Sequence, residues 1–125
     1  MYIIKNLQLD SIDLPLTSFY GPSYIQNNGY DLSIDLPALL TSSSLVISQC
    51  SRLNLPALVS PLNLEFTNNF FGTLSLPSVT SIGSNGLGRL LVQDNDALSN
   101  LSVLNLETVT WDVIENNPNL KCLTG

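Results

Sequence analysis

The sequence predicts an all-β fold, a right-handed β-solenoid of about six coils, and three observations predict it. A six-residue pattern of alternating apolar positions closed by a polar pair recurs along the 125 residues at an average spacing of 22. A second period-two run, closed in four cases by proline, follows each of the first five copies. The composition, with 25 Leu, 16 Ser and 14 Asn against 3 Ala and 4 Lys plus Arg, lacks the residues that build the surface of a helical bundle.

The first pattern is clearest at Leu45 to Cys50, Leu64 to Asn69 and Leu90 to Asn95, with weaker copies at Tyr2 to Leu7, Ser23 to Asn28 and Asp112 to Asn117. Aligned, the copies give an apolar column of Ile4, Ile25, Ile47, Phe66, Val92 and Ile114, the signature of a core-facing strand position. Two places on stands a column with no apolar member: Asn6, Asn27, Gln49, Asn68, Asp94 and Asn116. The second pattern reads Ile12-Asp-Leu14-Pro15, Ile34-Asp-Leu36-Pro37, Leu53-Asn-Leu55-Pro56, Leu74-Ser-Leu76-Pro77 and, without proline, Leu104-Asn-Leu106-Glu107. Proline deletes a ladder hydrogen bond, so the aligned prolines mark where this strand leaves its sheet. One copy cannot bury its own apolar face, whereas stacking at about 4.8 Å per coil joins the Leu and Ile residues into one core. The longest interval, between Asn69 and Asn95, places an insertion turn at Gly83 to Arg89. Residues 1–125 form a single repeat domain.

On these residues the sequence resembles the receptor L domain, a leucine-rich-repeat-like solenoid. It is most similar to the fungal glycosylphosphatidylinositol (GPI)-anchored cell-wall organisation and sporulation-specific proteins. The stretches that carry the resemblance are Ser81-Ile-Gly, Leu90 to Leu98, Leu53-Asn-Leu-Pro-Ala-Leu58 and Leu74-Ser-Leu-Pro-Ser-Val79. The resemblance implies a secreted, glycosylated, non-catalytic surface protein. Signal peptide, Cys-bearing caps and Ser-rich anchored tail are absent from the sequence, so on this resemblance the domain is expected to be a fragment of a longer ectodomain.

Charge and composition exclude several classes. A net charge of −6 argues against a phosphate-binding surface and hence against nucleic acid as a partner, and without any His there is no His-based nucleophile or metal site. No apolar run is long enough for a transmembrane helix. Lys5, Arg52, Arg89 and Lys121 are scattered, and the Gly83 to Arg89 turn lacks the Lys-Ser/Thr of a phosphate cradle. Asp13 and Asp35 occupy matching places one coil apart, but Asn54, Ser75 and Asn105 continue the column, so they read as a solvated face. Neither catalysis nor a cofactor is expected, and no metal site.

Five positions remain as a binding surface. Between the inward positions of the first strand, the outward column reads Ile3, Tyr24, Val46, Glu65, Leu91 and Val113, bordered by Lys5, Gln26, Ser48, Thr67, Gln93 and Glu115. The apolar members, Ile3, Tyr24, Val46, Leu91 and Val113, suit contact with a protein partner or adjacent repeats, although β-branched and aromatic residues also suit any exposed strand. Asn28, Asn69, Asn95 and Asn117, with Cys50 in the same column, read as a structural ladder satisfying backbone groups at a corner; a sugar-binding ladder is the alternative. Cys50 and Cys122 lie three coils apart and are expected to be unpaired with each other. Asn100-Leu-Ser102 is a glycosylation sequon. Ile3, Ile4, Leu7 and Leu9 in the first coil and Leu120 and Leu123 in the last suggest apolar ends that self-associate.

The function expected is a structural or recognition module of the cell wall or outer plasma membrane face, cell-wall glycan being among the conceivable partners. A secreted or receptor-ectodomain module holding a protein ligand is the runner-up, and a polysaccharide-cleaving β-helix the third class.

Overall fold

The computed structural model describes residues 1–84 and 86–125. Among them there is no helix, and the strands wind through six coils of up to three sides. Coil 1 carries β1 (Tyr2–Ile4), β2 (Ser11–Asp13) and β3 (Ser18–Phe19); coil 2 carries β4 (Ser23–Gln26), β5 (Ser33–Asp35) and β6 (Thr41–Ser42). Coil 3 has β7 (Ser44–Ser48) and β8 (Arg52–Asn54), and coil 4 has β9 (Asn63–Thr67), β10 (Thr73–Ser75) and β11 (Ser81–Ile82). Coil 5 follows with β12 (Arg89–Gln93), β13 (Asn100–Ser102) and β14 (Thr108–Val109), and coil 6 with β15 (Trp111–Glu115) and β16 (Cys122–Thr124).

Stacking makes every strand pair parallel. The first side is a six-stranded sheet in the order β1-β4-β7-β9-β12-β15; the second is formed by β2-β5-β8 and β10-β13-β16, and the third by β3-β6 and β11-β14. In the six-stranded sheet Ile25, Ile47, Phe66 and Val92 lie in register and are fully buried, with Ile114 beyond them in the last coil. The second side adds Ile12, Ile34 and Leu53 in one register and Leu74, Leu101 and Leu123 in another. Leu36, Leu55 and Leu76 close the core at the next corner.

That corner has a simple cause. The amide of Leu14 donates to the Asp35 carbonyl at 3.2 Å and that of Leu36 to Asn54 at 3.1 Å, so each Leu makes the last bond of its ladder. The residue that follows is proline, which has no N–H to continue it. Pro37 then sits second in a turn closed by Leu39 N–H donating to the Leu36 carbonyl at 3.3 Å, and Leu39 is buried on the far side.

Two alignments read from the sequence are displaced. In coil 1, Tyr2 pairs with Tyr24 and Ile3 with Ile25, so Ile3, not Ile4, points inward with the apolar column. Either Ile fits the apolar column of the sequence; the corner bond decides, since Asn6, not Leu7, donates its N–H to Asn28 Oδ1 at 3.0 Å. In coil 5 the second strand is β13, with Leu101 facing Leu74, and Leu104 to Glu107 lie beyond it. Leu101-Ser-Val103 and Leu104-Asn-Leu106 share the period-two pattern, and periodicity alone does not separate them.

The other corner is held by amides that reach back one coil. Asn69 Oδ1 accepts the Cys50 N–H at 3.1 Å while its Nδ2 donates to the Ile47 carbonyl at 3.1 Å. Asn95 repeats this on Asn69 N–H and the Phe66 carbonyl, Asn117 on Asn95 N–H and the Val92 carbonyl, and Asn28 on Asn6 N–H and the Ile3 carbonyl. The residue before each rung is left-handed: φ is 61° at Lys5, 56° at Asn27, 58° at Gln49, 53° at Asn68, 56° at Asp94 and 53° at Asn116. This conformation turns the chain out of the sheet, and Asn and Asp tolerate it best among residues with a Cβ. Gly83, at φ 89°, answers a different need: a Cβ there would stand 2.0 Å from the Leu87 carbonyl oxygen across the turn bridged by Ser84 and Leu87. Asn85, within the Gly83 to Arg89 stretch of the sequence, lies outside the described residues.

Replacing Asn95 by Ala strands a buried N–H and a buried carbonyl together. Urea unfolding should show a loss of about 2–4 kcal/mol with little change of slope. Asn27→Gly, at an exposed left-handed position, should stay within about 1 kcal/mol of the parent.

Candidate functional site

The outer face of the six-stranded sheet carries the predicted contact column in corrected register: Tyr2, Tyr24, Val46, Glu65, Leu91 and Val113. Ile3 leaves this set because it faces the core, and Tyr2 takes its place. The bordering column changes likewise, with Ile4 instead of Lys5 beside Gln26. Tyr2 and Tyr24 stack with ring centroids 5.3 Å apart and planes 11° from parallel. Tyr2 is 72% exposed, so the stack presents an open aromatic face at the coil 1 end of the sheet.

The middle of the column is less accessible than strand alternation suggests. Val46 and Leu91 are buried on the outer face, outside the core cluster, in register with Tyr24, Glu65 and Val113. Between them Glu65 faces Arg89 Nη1 at 3.8 Å, an exposed ion pair that contributes little stability. At the coil 6 end stands Trp111, 68% exposed and in register with Arg89. Sequence reading missed Trp111 because it precedes the repeated motif; its signal is that it is the single Trp of the chain. The face therefore offers contact area at two ends, Tyr2 and Tyr24 at one and Trp111 with Val113 at the other.

The remaining candidates disperse. Asn28, Asn69, Asn95 and Asn117 spend their amides on the corner bonds described above. Cys50 stands at the same place in coil 3, where its Sγ donates to carbonyls instead, at 2.9 Å to Arg52 and 3.5 Å to Leu32. Asp35 accepts a 2.9 Å bond from Asn54 Nδ2 on the exposed second side, one coil from Asp13. Among the described residues no group of three or more His, Cys, Asp or Glu side chains gathers as a metal site. Asn100 is exposed at the start of β13. Leu7 and Leu123 are exposed in the first and last coils.

Burial pushes the Cys50 thiol up to about 12, against the opposing effect of backbone hydrogen bonds near Arg52 and Ile34. It is a neutral, inert thiol at neutral pH, whereas Cys122 is free and exposed.

Comparison with known proteins gives one informative relative. The chain is 30% identical over 121 residues to a cell surface GPI-anchored protein of Arthroderma benhamiae, a match covering 88% of this chain and 30% of the relative. The chain thus spans less than a third of that relative's length. No protein-family model and no solved structure matches it. Among the described residues no helix is long and apolar enough to cross a membrane.

A thiol reagent at pH 8 should label Cys122 at once and Cys50 only after unfolding, with mass spectrometry locating the label. Because the unfolded thiol ionises near its ordinary 9.0 and the folded one near 12, stability from this group is complete below about pH 9. It then declines as pH rises towards about 12.

Proposed function

We propose that this chain is a non-catalytic structural or recognition module of a cell surface, in a fungal cell wall or on the outer face of the plasma membrane. Its similarity to a cell surface GPI-anchored protein of Arthroderma benhamiae supports the location, and its β-solenoid supports the kinship with receptor L and leucine-rich domains. The observation that carries the recognition role is the outer face of the six-stranded sheet, where Tyr2 and Trp111 stay open, Tyr2 stacked on the half-buried Tyr24, although the fold does not need their exposure. Such aromatic residues contribute large contact area with a polar tip, the composition of a binding hot spot. The absence of His and the half-exposed Gln26, Thr67 and Gln93 beside the stripe favour binding over catalysis.

A second reading, a secreted or receptor ectodomain holding a protein ligand, uses the same face and differs only in what tethers the chain. The tagged protein produced in its own host should partition with the cell-surface fraction, and release by a GPI-specific phospholipase selects the first reading over the second. Recovery in the cytosol sinks both. Replacing Tyr2 and Tyr24 together by Ser should raise release into the medium by about tenfold if this face anchors the chain to its neighbours, with an unchanged circular dichroism spectrum. Asn100 glycosylation, seen as a mass increase lost in Asn100→Gln, is expected on the secreted route.

A further inference from the structure

Coil 3 is short at the amide corner. Coil 2 places residues 29–32 between Asn28 and β5, whereas coil 3 places only Ser51 between Cys50 and β8, and yet Ser33 and Arg52 pair in register. The missing residues leave a notch between coils 2 and 4. Tyr30 and Phe70 close over it: their ring centroids lie 5.8 Å apart at 41°, and beneath them Ser51 Oγ donates to the Tyr30 carbonyl. Tyr30 is 78% exposed and Phe70 42%. Two large aromatic rings displayed at a corner add nothing to the core.

Beside Phe70 lies a shallow cavity of about 190 Å³ lined by Gln49, Asn68, Asn69, Asp94 and Asp96. Asn69 is committed to the corner bonds. Among the described residues the side chains of the other four make no hydrogen bond or ion pair, so their planar amide and carboxylate groups face the cavity unspent. Gln49, Asn68 and Asp94 are successive members of the left-handed column, one per coil, and the N–H that follows each is held by the Asn of the next coil: Cys50 by Asn69, Asn69 by Asn95 and Asn95 by Asn117. The polar array is therefore preorganised at coil spacing.

We propose that this corner binds a neutral carbohydrate chain. A pyranose ring has an apolar C–H face that lies on an aromatic ring and an edge of hydroxyls that both donate and accept. Tyr30 and Phe70 supply the first surface; Gln49, Asn68, Asp94 and Asp96 supply the second. Carboxylates accept from paired hydroxyls, and together with the net charge of −6 they repel phosphate, sulfate and uronate, which sets the class as uncharged glycan. The site is separate from the outer face of the six-stranded sheet and does not rest on that face being a contact.

The test is amide NMR of the full chain titrated with neutral glucan, mannan and chitin oligosaccharides. With at least one probe, shifts should centre on Tyr30, Gln49, Asn68, Phe70, Asp94 and Asp96 and should persist at high salt. Phe70→Ala, Tyr30→Ser and Asp94→Asn should each weaken binding by about tenfold. Tyr30, being so exposed, keeps the test valid if Phe70→Ala perturbs folding. Absence of shifts with every probe, equal affinity in Tyr30→Ser and Asp94→Asn, or capture only of a cationic peptide in a salt-sensitive way overturns the proposal. Shifts confined to Tyr2, Tyr24 and Trp111 overturn it too, and leave the surface-module reading standing.

Discussion

A side-chain amide that reaches back one coil is the interaction on which the rest of this structure depends. Strand pairing alone fixes neither where a coil ends nor how the next begins. At each rung the Asn oxygen takes the N–H of the rung below, and its nitrogen gives to the carbonyl of the last-but-one residue of the strand one coil back, as Asn95 does to Phe66. Asn95 and Asn69 do this while almost fully buried, so each rung satisfies two backbone groups that would otherwise cost about 1–3 kcal/mol apiece. The left-handed residue before each rung carries a local strain of about 1 kcal/mol or more, and the rung is what holds it there. Cys50 marks what happens without the amide: coil 3 keeps the left-handed turn at Gln49 but satisfies its sulfur locally, on Arg52 and Leu32.

Much of this was legible in the sequence because a repeat prints its constraints many times over. The column that includes Asn27, Asn68, Asp94 and Asn116 has no apolar residue because each member turns outward with positive φ, and Ile25, Ile47 and Phe66 are apolar because each is fully enclosed. What the repeat could not decide was phase where two adjacent residues are equally apolar. Ile3 and Ile4 are interchangeable to a pattern, but only one phase brings Asn6 under Asn28; Leu101 and Leu104 are separated only by pairing with Leu74. One-residue slips turn a strand inside out, and this is how Ile3 came to be assigned to the surface.

Burial on the outer face was also beyond reach. Alternation says which way Val46 and Leu91 point, not how closely neighbouring side chains cover them, and both are more than nine-tenths covered. An outward apolar column on a flat sheet partly buries itself, because neighbours on adjacent coils lie within van der Waals reach of one another. The accessible part lies at the ends of the sheet, where Tyr2 ends the column and Trp111 stands beside its last member, Val113.

Strands and corners consequently divide the labour in this fold. A strand position cannot gain or lose a residue without turning its neighbours inside out, so the first side keeps register from β1 to β15. Corners carry no such penalty: coil 3 drops residues after Cys50, and coil 4 gains the turn that begins at Gly83, while pairing resumes in register beyond both, at Arg52 and at Arg89. Length differences between coils therefore collect at corners, and there they open notches and raise projections from an otherwise regular rod. The corner beside the short coil 3 combines such a notch with exposed rings and unspent amides, a chemistry that the regular sheet face, limited to one residue type per column step, has no room to assemble.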